Sequence, residues 1–315
     1  MATDNLSPAP AGATPKSGPG AEAAPQIPLL ALDHLWFQVA GTVCNLRCTH
    51  CFISCAPDNH SFWFLDLQTV SEYLDASKAW GVKEYYFTGG EPFMNKELPA
   101  ILERTLAIGP ATVLTNATLL PVKTARRLAE IDAGSPFSLE LRVSLDGPSA
   151  ETNDPIRGAG TFERTLQGIQ RLVEHGFLPI VTAAQVWCPQ EDAKVYRQLV
   201  EALQQIGYDR PRIKILPTLH IGREEARSRG YSAEERVTSA MLENYDASQL
   251  LCSSARIVTD RGVYVCPILI DQADARLGAN LKEAARPYAL EHRACYTCWV
   301  NGAICANVGG IGLER

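Results

Sequence analysis

Two features that would place a protein on a membrane or on nucleic acid are missing from this sequence: a long hydrophobic run and a dense cluster of basic residues. No segment approaches the roughly 20 consecutive apolar residues that a membrane-spanning helix needs. The 315 residues carry 29 Lys and Arg against 35 Asp and Glu, a net charge of −6, whereas nucleic-acid-binding domains usually present a basic face. The N-terminus also lacks the charged start and apolar run of a secretory signal. We therefore expect a cytoplasmic protein whose partners include no membrane and no nucleic acid.

The N-terminal residues 1–28 have little that could form a core. They are rich in Ala, Pro and Gly, and Lys16 is their only basic residue. A segment of this composition buries too little apolar surface to offset the entropy lost on ordering, so we predict a disordered tail. Further along, the run 222–236 alternates between acidic and basic residues, which is typical of a solvated helical face.

Six strand-like runs alternate with amphipathic helical patterns in the first two thirds of the chain. In the helical segments, apolar residues recur on one face, as at Phe162, Leu166 and Ile169, and Asp66 is a candidate N-cap. Regular alternation with short connections predicts parallel strands covered by helices. Six units are fewer than the eight of a closed barrel, so we expect an α/β fold with an open, partial (β/α)6 barrel over residues 29–220 and a small cysteine-rich domain over 221–315. The predicted strands are 34–41, 84–90, 111–116, 138–147, 179–187 and 212–219.

Ten cysteines are present, and they fall into two groups with Cys188 between them. The cytosol keeps thiols reduced, so clustered cysteines there indicate metal more often than disulfides. In the first group, Cys44, Cys48 and Cys51 have the spacing C-x3-C-x2-C, and Cys55 follows. Three interpretations are open: a structural zinc site made by all four, an electron-transfer cluster, and a reactive iron–sulfur cluster with one iron left without a protein ligand.

Polar residues follow each predicted strand, where ligands bind in parallel α/β barrels. The second strand ends in TGGEP, which contains Gly89, Gly90 and Glu91. The third strand ends near Asn116, and the fourth ends at Ser144 and Asp146. The fifth strand ends near Cys188, and the sixth ends at His220. We therefore expect a binding site at this rim.

The cysteine spacing, TGGEP and SLDG, in barrel order over residues 34–220, resemble the radical S-adenosylmethionine (SAM) family. The resemblance implies that Cys44, Cys48 and Cys51 hold three irons of a [4Fe–4S] cluster and that the fourth iron binds SAM. It further implies reductive cleavage of SAM to a 5′-deoxyadenosyl radical that abstracts hydrogen from a substrate, with an electron donor such as flavodoxin or ferredoxin as partner. Cys55 has no role in this pattern, and we expect it to pack near the cluster.

The resemblance also assigns residues to the SAM pocket. His50 occupies the family's aromatic position beside the third cysteine, and Gly89, Gly90 and Glu91 correspond to the motif that binds the methionyl amine. Ser144 and Asp146 resemble the family's contacts to ribose and carboxylate. The remaining candidates are Asn116 and Arg157, and for Arg157 a surface ion pair is the alternative.

The second cysteine group resembles the auxiliary-cluster extension called SPASM or its shorter twitch form. Five cysteines are present where the full pattern has seven, so one auxiliary [4Fe–4S] cluster is expected, and a zinc ribbon is the alternative. The expected ligands are Cys252, Cys266, Cys295 and Cys298, and Cys305 is a substitute for one of them.

Relatives with this layout modify or mature peptides, or act in small-molecule and cofactor biosynthesis. We expect peptide modification or maturation, with the second class as the alternative, and a non-catalytic iron–sulfur or zinc protein as the alternative of another kind. The substrate is expected against the fifth and sixth strands. There Cys188 and His220 are candidates for substrate contact or proton transfer.

Overall fold

The computed structural model describes residues 23–302 and residue 304. Its strands, numbered in chain order, each contain two to six residues. They are β1 Gln26–Ile27, β2 His34–Gln38, β3 Glu84–Thr88, β4 Ala111–Thr115, β5 Leu139–Ser144, β6 Ile180–Ala184, β7 Arg212–Leu216, β8 Ala255–Thr259, β9 Gly262–Tyr264, β10 Arg276–Gly278 and β11 Tyr288–Ala289.

The longer helices follow the strands of the predicted barrel, and four short ones lie nearer the C-terminus. They are α1 Leu67–Ser77, α2 Leu98–Leu106, α3 Val122–Ala133, α4 Ala150–Arg157, α5 Thr161–Glu174, α6 Asp192–Gln205, α7 Arg223–Arg227, α8 Ser239–Leu242, α9 Leu281–Ala284 and α10 Ala294–Asn301. Asp66 caps α1, as predicted, because its carboxylate accepts a hydrogen bond from the Thr69 amide at 2.7 Å. In the described part of the chain, no helix combines the length and the apolar character needed to cross a bilayer.

One sheet contains nine of these strands, in the order β10-β9-β8-β2-β3-β4-β5-β6-β7. Strands β2 to β7 are the six predicted ones, and each is parallel to the next. Their apolar side chains form the core with the covering helices, for example Phe162 and Ile169 of α5 and Leu199 of α6. The predicted α/β fold with a parallel partial barrel is therefore confirmed.

The C-terminal part of the chain continues this sheet. Strand β8 is parallel to β2 and pairs with it from His34↔Ala255 to Phe37↔Val258, and β9 and β10 extend the edge as antiparallel strands. Sequence alternation did not predict this continuity.

Residues 1–22 of the predicted tail 1–28 lie outside the described residues. Of its last residues, Gln26 and Ile27 pair antiparallel with Ala289 and Tyr288. Ile27 is buried, and this apolar contact orders the end of a stretch whose composition predicted disorder.

Candidate functional site

A cavity of about 250 Å³ opens at the carboxyl ends of the parallel strands. Thiols from the loop after β2 line one side of it. The ends of β3 to β7 supply much of the remainder. Its lining includes Cys44, Cys48, His50, Cys51, Cys55, Gly89, Gly90, Asn116, Ser144, Asp146 and Arg157.

All four thiols of the first cysteine group line this cavity. The Cys55 amide donates to Cys51 Sγ at 3.3 Å, so the fourth cysteine packs directly beside the third. A hydrogen bond from the Cys55 thiol lowers the pKa of Cys51 to about 6, whereas burial raises the pKa of Cys44 to about 12. Among the described residues, no three His, Cys, Asp or Glu side chains surround one point closely enough to hold a single metal ion.

Arg223, at the start of α7, holds the cysteine loop in place. Its Nε donates to Cys48 O at 2.8 Å, Nη1 donates to Ser54 O at 2.9 Å, and Nη2 donates to Cys55 O. The Arg223 amide also donates to Cys51 O at 3.1 Å. One side chain therefore fixes three carbonyl groups of the loop, a task that suits the fork of donors on guanidinium.

The residue before it, Gly222, makes this approach possible. Its φ is +60°, and a Cβ there would lie 2.3 Å from Phe52 O, inside the cysteine loop. The predicted solvated face over 222–236 is therefore wrong at its start. Glu224 is also buried, in an ion pair with Arg227, because α7 packs against the cysteine loop.

The two glycines after β3 lie against the same loop. A Cβ on Gly90 would lie 2.0 Å from Val43 O and 2.7 Å from Cys44 N, and a Cβ on Gly89 would lie 2.8 Å from Ala40 N. Both glycines also line the cavity. The sequence predicted close backbone approach to a ligand, and the structure adds that these positions must be glycine to meet the cysteine loop.

Glu91 does not line the cavity, in contrast to its expected contact with a ligand amine. Its carboxylate is fully buried and accepts hydrogen bonds from Phe93 N at 3.1 Å, Thr115 Oγ1 at 2.7 Å and Asn116 N at 2.8 Å. Burial raises the pKa of Glu91 to about 7, against the effect of these donors. The carboxylate thus ties the turn after β3 to the end of β4, because all three donors belong to these two segments.

Asp146 is the centre of a buried polar cluster with His50 of the cysteine loop and Arg157. Its Oδ2 lies 2.8 Å from His50 Nε2 and 2.6 Å from Arg157 Nε, and its Oδ1 accepts from the Ala184 amide at 2.7 Å. Burial alone would raise the pKa of Asp146, but the charge of Arg157 and the contact with His50 hold it below its ordinary value. Burial likewise opposes the charge of Arg157, yet Asp146 raises its pKa, with a further contribution from Cys48.

This geometry excludes a surface ion pair for Arg157. It is buried and lines the cavity, so the ion pair with Asp146 is internal and not at the surface. The same cluster brings His50 beside Asp146, and both residues were predicted from the sequence. The other ring nitrogen of His50, Nδ1, is buried and has no hydrogen-bond partner among the described residues.

Asn116 and Ser144 complete the predicted rim. The Asn116 amide nitrogen donates to Asn45 Oδ1 at 3.0 Å and lies 3.9 Å from Cys44 Sγ, and its oxygen accepts from Thr118 N at 2.9 Å. Ser144, the last residue of β5, is half-buried and lines the cavity. The structure thus brings these two residues to the thiols.

Cys188 and His220 are not among the residues that line the cavity. Cys188 is exposed. His220 Nε2 lies 3.0 Å from Thr218 Oγ1, and His220 Nδ1 lies 3.3 Å from Gly230 O. The fifth and sixth barrel strands do reach the cavity, but through other residues, such as Thr182 on β6.

Further residues of the strands themselves also line the cavity, and the sequence analysis missed them. They are Trp36 and Gln38 on β2, Arg142 on β5, Thr182 on β6 and Lys214 on β7. A detectable signal existed, because strand residues two apart share a face. Arg142 lies between two apolar residues in LELRVS, and Lys214 lies between two apolar residues in RIKIL.

The described thiols of the second cysteine group are buried and do not line the cavity. Cys252, Cys266, Cys295 and Cys298 are each less than one tenth exposed, and Cys305 lies outside the described residues. Burial and the nearby Cys266 thiol raise the pKa of Cys252 to about 12, and burial with both of these thiols raises that of Cys295. These three thiols therefore lie near one another, and Cys298 is one turn further along α10.

Comparison with known proteins finds a family match for the part of the chain that carries the first cysteine group. Residues 39–186 match the radical SAM superfamily. The chain is 30% identical over 135 residues to a GTP 3',8-cyclase of Psychromonas ingrahamii, covering 43% of this chain and 39% of that protein. It is 34% identical over 135 residues to an Fe-coproporphyrin III synthase of Methanosarcina barkeri, covering 42% of this chain and 32% of that protein. In these alignments the chain thus spans about a third of its relatives' length.

The fold is similar to that of Streptococcus suis SuiB, solved with its precursor peptide SuiA. The TM-score is 0.59 at 15% identity, over 78% of this chain and 61% of SuiB. This likeness shows a shared fold that reaches beyond residues 39–186. Residues 39–186 therefore form a radical SAM domain.

Proposed function

We propose that this chain is a radical SAM enzyme that acts on a peptide or protein substrate. The observation that carries the proposal is the single cavity that brings Cys44, Cys48 and Cys51 together with Gly90 and Asp146. A [4Fe–4S] cluster held by these three thiols supplies the electron for reductive cleavage of bound SAM, and the resulting 5′-deoxyadenosyl radical takes a hydrogen atom from the substrate.

The residues around the cavity fit these groups. Three cysteines on one short loop are the donor set that iron–sulfur clusters use, and their thiols share the cavity. A ligand with amino, carboxylate and ribose groups would meet the backbone at Gly89 and Gly90, the hydroxyl of Ser144 and the amide of Asn116. The unpartnered Nδ1 of buried His50 is a further polar atom available to it.

The protein itself positions the groups around the cavity and excludes water from it. Arg223 fixes the loop that carries the thiols, and Glu91 ties the glycine turn to the end of β4. Asp146 neutralises Arg157 and orients the ring of His50. Buried side chains such as Leu46 and Ile53 line the cavity as well, and a dry site protects a reactive intermediate from side reactions.

The proposal includes an auxiliary [4Fe–4S] cluster in the C-terminal region 221–315, with Cys252, Cys266, Cys295 and Cys298 as ligands. The burial of all four thiols supports this part of the proposal. Pro267, which follows Cys266, lines the main cavity, so this cysteine lies next to the residues around the first site. The electron for the first cluster would come from a small donor protein such as flavodoxin or ferredoxin.

The peptide substrate is supported by the likeness to SuiB, whose structure contains a precursor peptide. A small-molecule or cofactor substrate is the second candidate. It is favoured by the higher sequence identity to the cyclase and the synthase, at 30% and 34%. Both candidates use the same cleavage of SAM.

The test is an anaerobic incubation of the reconstituted full chain with SAM and dithionite, followed by chromatography for 5′-deoxyadenosine. Wild type should form it, and Cys48→Ala should not. Cys188→Ala is the matched control, since it removes an exposed thiol outside the cavity and should retain cleavage. Absence of 5′-deoxyadenosine from wild type that contains its full iron would refute the proposed function.

A further inference from the structure

Three buried polar atoms on β2 have no partner in the described part of the protein: His34 Nδ1, Trp36 Nε1 and Gln38 Oε1. Of these residues, Trp36 and Gln38 line the cavity, and each is 1% exposed. Buried polar groups are nearly always hydrogen-bonded. A donor and an acceptor left unpaired side by side on a cavity wall therefore indicate a ligand that supplies both missing partners.

The surrounding contacts fix which atom each residue presents. The Gln38 amide nitrogen donates to Gly41 O at 2.7 Å. Since a carbonyl oxygen only accepts, this bond orients the amide and leaves its own oxygen as an acceptor. The ring of Trp36 stacks on Tyr86 at 4.2 Å between centroids, with 11° between the planes, and the stack holds the indole N–H donor in one direction.

The two residues stand on the same face of the strand. Positions two apart in a strand are separated by about 6.6 Å, and both side chains point to one side of the sheet. Their donor and acceptor thus line the cavity, which Arg142, Thr182 and Lys214 also line. These residues belong to the strands themselves, whereas Asn116 and Asp146 follow the ends of β4 and β5.

We infer that Trp36 and Gln38 form a subsite for an amide group of the substrate, a deepening that rests on the proposed function. The indole N–H donates to the amide oxygen, and the Gln38 oxygen accepts from the amide N–H. A carboxylate brings only acceptors and would meet the Gln38 oxygen unfavourably, and an ammonium brings only donors and would meet the indole N–H unfavourably. A neutral amide carries one of each, in a peptide unit or in a primary carboxamide.

The test measures binding and needs no turnover. The reconstituted full chain is titrated calorimetrically with N-acetyl-alanine methylamide, with the corresponding methyl ester, which lacks the last N–H, and with propionamide. Three proteins are compared: wild type, Trp36→Phe, which keeps an aromatic ring beside Tyr86 but lacks the N–H and part of the indole, and Gln38→Met. SAM affinity is measured in parallel on each protein.

Loss of one neutral hydrogen bond should weaken binding of the methylamide about five- to tenfold. Wild type should prefer the methylamide to the ester, and Gln38→Met should lose this preference. Trp36→Phe should weaken both probes while SAM affinity stays unchanged. Propionamide separates the two sources: weaker binding than the methylamide identifies a peptide unit, and stronger binding identifies a carboxamide.

Three results would overturn the subsite. Equal binding of methylamide and ester to wild type, or no binding of either, would mean that ordered water alone satisfies the two atoms. A fall in SAM affinity in both variants would assign the pair to the cofactor. The calorimetric test does not depend on 5′-deoxyadenosine formation. A failure of the subsite and a failure of the proposed function would therefore appear in different measurements.

Discussion

Replacing Glu91 by alanine should destabilise the fold itself, because this carboxylate contacts protein groups and does not line the cavity. The substitution leaves the amides of Phe93 and Asn116 and the hydroxyl of Thr115 without their acceptor. A buried donor left unpaired costs about 1–3 kcal/mol. Removing a buried carboxylate recovers part of that, so we expect a loss of about 3–5 kcal/mol in the free energy of unfolding.

The titration of Glu91 gives a second signature. Its pKa is raised from 4.5 to about 7, so the folded state binds the proton more tightly than the unfolded state. The stability contributed by this protonation is complete below pH 4.5 and is lost as the pH rises through 7. The change is about 3 kcal/mol. Glu91→Gln cannot ionise, so its stability should lack this decrease between pH 5 and pH 8.

Urea unfolding of the full chain, followed by circular dichroism under reducing conditions with chelator, measures both effects without the cluster. Glu201→Ala is the matched control, since Glu201 lies exposed on α6. Suppose that Glu91→Ala unfolds at the wild-type urea concentration and binds SAM more weakly. The carboxylate would then contact the cofactor, as the sequence alone suggested, and the bracing role described here would be wrong.

Three further predictions concern the same cavity. Replacing Cys44, Cys48 and Cys51 together by alanine should reduce the iron of the reconstituted chain from about eight to about four atoms, measured by colorimetric iron assay, and zinc at the second group would contradict this. Asp146→Asn should lower the free energy of unfolding by about 3–5 kcal/mol, because it leaves the buried Arg157 without its carboxylate. In wild type, the stabilisation from the lowered pKa of Asp146 should be complete well above the ordinary pKa of 3.8 and should decrease as the pH falls below it, because the unfolded state then binds the proton more tightly; urea titrations at pH 7 and pH 3 test the sign. Arg223→Gln and Arg223→Lys should both speed iron loss to a chelator, because neither side chain can hold three loop carbonyls; wild-type kinetics in the lysine variant would show that charge alone suffices.

The parallel strands and their order could be predicted because each carries a local signal of its own. Alternation of β-rich and amphipathic runs gave all six, and the end of each strand placed Asn116, Ser144 and Asp146 at one rim. Short-range signals also marked the cysteine loop. The position of each of these residues follows from the local sequence pattern around it.

Other parts of the site depend on contacts between distant segments. Arg223 reaches Cys48 across 175 positions, and nothing in the run 222–236 distinguishes this arginine from its exposed neighbours. Glu91 looks like a ligand contact in the sequence, and only the fold turns its carboxylate toward β4. Cys188 follows a strand that reaches the cavity, but the chain has already turned outward there. Trp36 and Gln38 could have been found by alternation, because they share the face of β2 that looks into the barrel.

Strand β8 comes from far along the chain, yet it covers one edge of β2, which leads directly into the cysteine loop. A fragment that ends at residue 220 would therefore expose the backbone of β2 beside the buried Leu35 and Phe37. An uncovered apolar edge is a template for intermolecular strand pairing. Such a fragment should aggregate, although it contains every residue of the matched family region. During synthesis, β2 therefore gains its second neighbouring strand only after residue 259 has been made.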